Sequence, residues 1–199
     1  MDIVKLRQIN GLWNNIYPYL ASQVMDTYKN DTGKVLEIGP FSGGISRELA
    51  RLYPGLEIVI ADNSPQVIKY LKEEVSNSGL SGRIDVRVTD PANLIFTDAS
   101  FDLVICRGYL FFINFGEQLL REVYRVVKKD GLGYVGGGYG SGCPGELKDG
   151  IGEESRELNE SLGRKHLSLQ DIAKLVKGAG LESKCSIEED GGVWLNIRK

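Results

Sequence analysis

Apolar residues recur along this chain with two periods, and the alternation between them predicts helices and strands in turn. Over residues 4–29, Ile9, Leu12, Trp13, Ile16, Leu20 and Val24 stand three and four apart, so the segment reads as helical. Pro18 falls inside it and predicts a break into two short helices, because proline lacks the backbone donor and clashes with the preceding turn. Lys34–Ile38 is a near-continuous apolar run, as expected of a parallel strand covered on both faces. Ser42–Leu52 returns to the helical period and stops at Tyr53-Pro54-Gly55. Glu57–Ala61 reads as a second strand. Ser64 then fits an N-cap with Pro65 at the first helical position, for a helix running to about Ser78.

The pattern continues with strands at Arg83–Val88 and Phe101–Cys106. A helix over Gly116–Lys128 turns Leu119, Leu120, Val123, Val126 and Val127 inward, ends at Lys129-Asp130-Gly131, and leads into a fifth strand over Leu132–Val135. Residues 146–165 are charged and expected to be helical. Ser168 caps a last helix to about Ala179, with Gly180 as its stop. Two strand-like runs close the sequence, Leu181–Ile187 and Val193–Arg198. Only Glu188-Glu189-Asp190-Gly191-Gly192 joins them, too short for a helical crossover, so the pair must be antiparallel. The expected fold is α/β: a mostly parallel sheet with helices on both faces, ended by an antiparallel hairpin.

Composition narrows the classes. At 199 residues, with 42% apolar and 26% charged positions, the chain suits one ordinary globular core. A net charge of −3 gives no basic footprint for nucleic acid. No apolar stretch is long enough for a membrane span, and Met1-Asp2-Ile3-Val4-Lys5 lacks the order of a secretion signal. Three cysteines fit a reducing cytoplasm better than a disulfide scaffold. Without C-x-x-C spacing, and with His166 as the sole histidine, no metal site is expected. Cys106, Cys143 and Cys185 read by default as small buried hydrophobes.

Chemistry concentrates where the first strand ends, in Val35-Leu36-Glu37-Ile38-Gly39-Pro40-Phe41-Ser42-Gly43-Gly44. A glycine-rich turn between strand and helix brings bare backbone to a nucleotide-like ligand at the carboxyl end of a sheet. Glu37 beside it suits a cationic ligand rather than a phosphate. The segment resembles motif I of the class I S-adenosylmethionine (SAM)-dependent methyltransferases, an acidic residue followed by Gly-x-Gly-x-Gly, with Phe41 in place of the middle glycine. The resemblance covers roughly residues 30–199, is of the small-molecule type, and is similar to UbiE and type 11 methyltransferase domains. It implies a Rossmann-like seven-stranded sheet whose seventh strand inserts beside the fifth. Residues 31–199 would form the SAM-binding domain, and residues 1–30 a helical segment covering the site.

By that resemblance SAM is the cofactor. Glu37 would lie under its amino-acid moiety, with the Gly39–Pro40–Phe41 and Gly43 backbone against the methionine and ribose portions. Asp62, at the end of the second strand and 23 residues after Gly39, can accept both ribose hydroxyls, a placement that would also serve a nicotinamide cofactor. Asn63 would flank the adenine. Thr89-Asp90-Pro91-Ala92-Asn93-Leu94-Ile95-Phe96 resembles the family loop in which an acidic residue, here Asp90, accepts from the adenine amino group, with Pro91 and Ala92 beside it. Arg107 follows the fourth strand and could pair with the ligand's carboxylate or with an anionic acceptor.

Four acceptor-side candidates follow, Arg107, Tyr109, Tyr139 and Cys143, while Trp13 and Tyr17 could close the site from the N-terminal helices. Tyr139 and Cys143 belong to Gly136–Gly145, expected to be a bare loop that admits substrate or moves as a lid, and residues 146–165 could form the wall or lid over that side. No residue is marked as a general base, and no Asn/Asp-Pro-Pro-Tyr signature is present. The expected function is methyl transfer to a small-molecule acceptor by a cytoplasmic monomer or homodimer. The alternatives are a non-catalytic SAM-binding module and an NAD-dependent oxidoreductase.

Overall fold

Each strand–helix alternation returns the chain to the same edge of one sheet, and right-handed crossovers then force parallel pairing. In the computed structural model, which describes residues 2–199, the strands are β1 (Thr32–Ile38), β2 (Gly55–Asp62), β3 (Ile84–Val88), β4 (Phe101–Arg107), β5 (Val127–Gly138), β6 (Cys185–Glu188) and β7 (Gly192–Arg198). Their order is β3-β2-β1-β4-β5-β7-β6. The first five are parallel. β7 enters antiparallel between β5 and β6. The chain runs outward from β1 through β2 to β3, then crosses back to β4 on the other side of β1. That reversal opens a crevice above the carboxyl ends of β1 and β4, where open α/β sheets bind ligands.

Two apolar layers flank the sheet. One face carries α1 (Ile3–Leu12), α2 (Tyr17–Tyr28), α3 (Gly44–Leu52), α4 (Pro65–Asn77) and α6 (Gly145–Ser161). The other carries α5 (Gly116–Val126) and α7 (Leu169–Ala179). Val35 faces the first layer, Leu36 and Ile38 the second, and all three are fully buried, which accounts for the unbroken apolar run in β1. Glu37 shares the Val35 side and is fully buried as well.

Several boundaries differ from the sequence expectation, each for a local reason. The N-terminal helix breaks at a 3-10 turn over Trp13–Asn15, and Pro18 opens α2 instead of ending α1. In the first turn of a helix its missing donor costs nothing. α5 ends at Val126, and β5 begins at once with Val127, not at Leu132. The expected Lys129-Asp130-Gly131 turn is a bulge inside that strand. The register jumps from Phe101↔Val127 to Leu103↔Leu132, Asp130 takes φ 64°, and Lys128 Nζ donates to Asp102 Oδ2 at 2.7 Å. Leu181–Lys184 is a turn closing α7, so β6 starts only at Cys185. Gly136, Gly137 and Gly138 belong to β5 and pair with β7, so the loop expected over Gly136–Gly145 begins only after them. A Cβ on Gly136 would collide with the Val193 carbonyl and one on Gly138 with the Gly191 carbonyl, so side-chain-free positions let the two backbones close.

Candidate active site

The turn after β1 is tied down from below. Glu37 Oε2 accepts from the N–H groups of Gly43 at 2.9 Å and Ser46 at 3.1 Å, which are otherwise unpaired donors at the start of α3. Its Oε1 is buried without a partner. Burial pushes this carboxyl up, and the Ser46 hydroxyl, the two backbone donors and the nearby Arg107 charge oppose that. Gly39 has φ 104°, and a Cβ there would lie 2.9 Å from the Tyr109 ring. Glycine is therefore required at 39 for both conformation and space. Phe41 is different. Among the described residues the non-glycine positive φ values belong to Lys29, Ala99 and Asp130, so position 41 needs no glycine. Its ring is 2% exposed and packs 4.9 Å from Phe112. It walls the crevice and leaves the turn undistorted.

The second and third strand ends bring Asp62 and Asp90 together. Thr89 N donates to the Asp62 carbonyl at 3.0 Å, which fixes one loop against the other. Asp62 is 2% exposed and its Oδ1 accepts from Ser64 N at 2.7 Å. Burial raises its carboxyl to about 6, against the opposing pull of that hydrogen bond. Asn63 is exposed beside it. Asp90 is exposed, and its Oδ1 accepts from Ala92 N at 2.9 Å, which shapes the 90–93 turn around the buried Pro91. Tyr109 rests its ring on Gly39 and edge-on against Phe115 at 6.2 Å. Burial, and then the Asp62 charge, push its phenol far up.

On the other side of Arg107 lies a cavity of about 130 Å³. Trp13, Phe41, Phe111, Phe112 and Tyr139 supply its aromatic walls. Arg107 is 5% exposed. Its guanidinium stands 4.5 Å from the Trp13 ring centre, 5.3 Å from Tyr17 and 5.8 Å from Phe41. Nη2 donates to the Tyr17 hydroxyl at 3.4 Å, and Nε is buried with no partner. Burial pushes the Tyr17 phenol up to about 12 even beside that cation. Trp13 stacks on Tyr139 at 5.0 Å and 8°, and its Nε1 donates to Ser155 Oγ of α6 at 2.9 Å. Asn159 Nδ2 donates to the Ser155 carbonyl at 2.6 Å. α1, α6 and the end of β5 thus meet over the cavity.

Of the four acceptor-side candidates, Arg107 and Tyr139 line this cavity, as does Trp13. Tyr109 and Cys143 do not: Tyr109 lies on the glycine turn, and Cys143 is buried within the first apolar layer. Cys106 is sealed inside β4, where burial pushes its thiol far up. The sequence places a wall or lid in residues 146–165, and Ser155, Arg156, Asn159 and Arg164 of that segment do line the cavity, though the sequence does not single out these side chains. They are spaced along a charged helix and its exit, a pattern that reads as a solvated face.

The donor set fits SAM. An orphaned, buried carboxylate oxygen under the glycine turn suits a ligand bearing an ammonium group, and Asp62 and Asp90 offer acceptors but no cation for a phosphate. Residues 36–135 match a family model described as a methyltransferase domain. The chain belongs to the class I SAM-dependent methyltransferases. SAM is accordingly its cofactor. Among curated relatives, it is 29% identical over 99 residues to the ubiquinone/menaquinone biosynthesis C-methyltransferase UbiE of Pseudomonas paraeruginosa, covering 49% of this chain and 39% of that protein. The enzyme of the same description from Geotalea uraniireducens is 30% identical over 104 residues, covering 52% and 44%. The matched segment thus spans less than half of those relatives. Among solved structures, a Methanococcus maripaludis protein provisionally assigned as a SAM-dependent methyltransferase superposes with TM-score 0.82 at 27% identity, covering 98% of this chain and 91% of that one. A SAM-dependent methyltransferase from Aquifex aeolicus shares the fold with TM-score 0.70 at 16% identity over 99% of both chains.

Proposed function

We propose that this methyltransferase transfers a methyl group from SAM to a small-molecule acceptor seated in the cavity between Arg107, Trp13 and Tyr139. The observation that carries the reading is one crevice with two chemically different halves. The half over β1–β3 offers carboxylates at Glu37, Asp62 and Asp90, and the half beyond Arg107 is an aromatic chamber. When bound, SAM supplies an electrophilic methyl carbon on a sulfonium; the acceptor's electron pair bonds to it while sulfur keeps the electrons of the broken bond, leaving S-adenosylhomocysteine (SAH). The protein's part is mainly to position the acceptor in line with that carbon. Glu37 would hold the glycine turn and meet the ammonium through Oε1, Asp62 would accept from the ribose, and Asp90 would accept from the adenine amino group. Trp13, Phe41 and Tyr139 would exclude water.

Among the described residues lining the chamber there is no Asp, Glu or His. Tyr17, pushed up to about 12, is a poor base. This favours an acceptor that reaches the site already deprotonated, or one that is a soft nucleophile. The C-methylation named for the curated relatives falls within that class when the acceptor ring is an oxyanion. No helix among the described residues is long and apolar enough to cross a membrane. With three free cysteines, this favours a reducing cytoplasm as the working compartment. The test is calorimetry with SAM, SAH and NAD, followed by release of SAH from SAM over an acceptor panel. SAM and SAH should bind and NAD should not. NAD binding in the absence of SAM binding would overturn the reading, and SAM binding without turnover on any acceptor would favour a binding module.

A further inference from the structure

We infer that the chamber beyond Arg107 is an oxyanion subsite, so that the acceptor is a molecule of about single-ring size carrying a carboxylate or phosphate group. The inference rests on the methyl-transfer reading and names the acceptor class for it. Three arginines line the chamber, Arg107, Arg156 and Arg164, and its described wall holds no carboxylate, in a protein whose net charge is −3. Arg107 makes the strongest case. A buried guanidinium normally has its donors satisfied by a carboxylate or carbonyls. Here the charge is met by the faces of Trp13, Tyr17 and Phe41, which attract a cation but accept few N–H bonds. The Tyr17 hydroxyl takes one long bond, and Nε has no partner. Glu37 is near enough for its ionisation to feel Arg107, but its Oε2 is committed to Gly43 and Ser46, and no ion pair forms between them.

The other two cations stand at the mouth. Arg164 lies over the Phe111 ring at 5.1 Å and is exposed. Arg156 is exposed and approaches Glu153 only at 3.9 Å, so both can turn toward an entering anion. Size and shape fit a planar body: an apolar cavity of roughly 150 Å³ takes benzene, and this one of about 130 Å³ is walled by stacked rings. Phe41 and Arg107 border the cofactor half, but the wall contains none of Glu37, Gly39, Asp62 or Asp90, so the anion is assigned to the acceptor and not to the cofactor's own carboxylate. Beyond Arg107 and Tyr139, the wall's polar members come from α6 and the chain after it, namely Ser155, Arg156, Asn159 and Arg164.

The test uses the full chain saturated with SAH, titrated with benzoate and phenyl phosphate, and with benzamide as the uncharged isostere. One of the two anions should bind roughly tenfold or more tightly than benzamide, as charge-assisted bonds to a buried fork require, and should weaken with added salt. Arg164→Met, an exposed change that spares the core, should weaken the anion by about threefold, as expected for a solvent-screened charge, and leave benzamide and SAH unchanged. Arg107→Met should abolish the preference. Equal affinity for benzoate, phenyl phosphate and benzamide while SAH still binds would overturn the subsite and leave methyl transfer standing. Loss of SAH affinity with unchanged anion binding in Arg107→Met would also overturn it, by assigning Arg107 to the cofactor. Failure of the wild-type protein to bind SAH would overturn methyl transfer itself, and this subsite with it.

Discussion

Burial lifts the Asp62 carboxyl to about 6, so near neutral pH the ligand-free protein holds a carboxylate that its surroundings disfavour. The proposed ribose contact needs that charge, since two hydroxyls donate best to an ionised group. Ligand donors lower the bound-state pKa, so affinity should fall as pH drops through about 6, by up to about tenfold per pH unit. Calorimetric titration of SAH between pH 5 and 8 would show this slope, and Asp62→Asn should flatten it at weak affinity. The same residue predicts the opposite sign for stability. A carboxyl raised on folding stabilises the protonated form, so the native protein loses stability as pH rises from about 4 to about 6. Asp62→Asn removes the buried charge and keeps an acceptor for the Ser64 N–H. The ligand-free variant should therefore gain roughly 1–3 kcal/mol at pH 8. That gain should shrink below pH 6, as measured by urea unfolding. A variant less stable than wild type at pH 8 would contradict the strained-carboxylate account.

At the scale of one element, the β1–turn–α3 unit shows how a binding motif is also a structural one. Glu37 was expected to serve the ligand. The structure adds that its Oε2 closes the start of α3 through Gly43 and Ser46, a bond pattern invisible in a linear sequence. Glu37→Ala would orphan both buried donors and should cost about 1–3 kcal/mol, with Glu37→Gln costing less because it keeps an acceptor. Thermal unfolding of the two variants would rank them, and equal melting temperatures would contradict the capping role. Phe41, the one departure from the glycine pattern, is explained by the same geometry: the conformational demand falls on Gly39 and Gly43, and the side chain between them is free to wall the chamber. Asp62 and Asp90 could be read from the sequence because strand ends can be counted. For residues 146–165 only the segment could be named as a wall; that Ser155 is the side chain meeting Trp13 could not, because the bond joins positions some 140 residues apart. The start of β5 was hidden for a related reason. Lys128, Lys129 and Asp130 look like an exposed turn until Asp102 is seen to hold Lys128.

Across the whole molecule, the alternation of periods was enough to predict a mostly parallel sheet closed by an antiparallel hairpin, since so short a link allows no crossover, while the insertion of the last strand beside the fifth came from the family resemblance. The division into an N-terminal cover over residues 1–30 and a domain over 31–199 is a separate matter, and the packing speaks for a single core. Leu6, Ile9, Ile16, Leu20 and Val24 are each at most 1% exposed and share one apolar cluster with Val35, Ile45 and Leu49. Gln23 reaches across to accept from Ser141 N and to donate to the Asp190 carbonyl, so α2 also pins the end of β5 and the β6–β7 hairpin. A cover that only shaded the site could be removed without unfolding what lies beneath. Here its removal would strip the apolar partners of α3 and β1 and expose a large contiguous patch, which small domains rarely tolerate. A chain starting at Asn30 should therefore lose cooperative thermal unfolding, bind a hydrophobic dye at room temperature and fail to bind SAH. Trp13→Ala in the full chain should instead unfold cooperatively at a lowered temperature, with SAH affinity kept and turnover lost, because that side chain lines the chamber proposed for the acceptor. If the truncated chain unfolds cooperatively and binds SAH at wild-type affinity, the N-terminal helices are a detachable cover and the single-core reading fails.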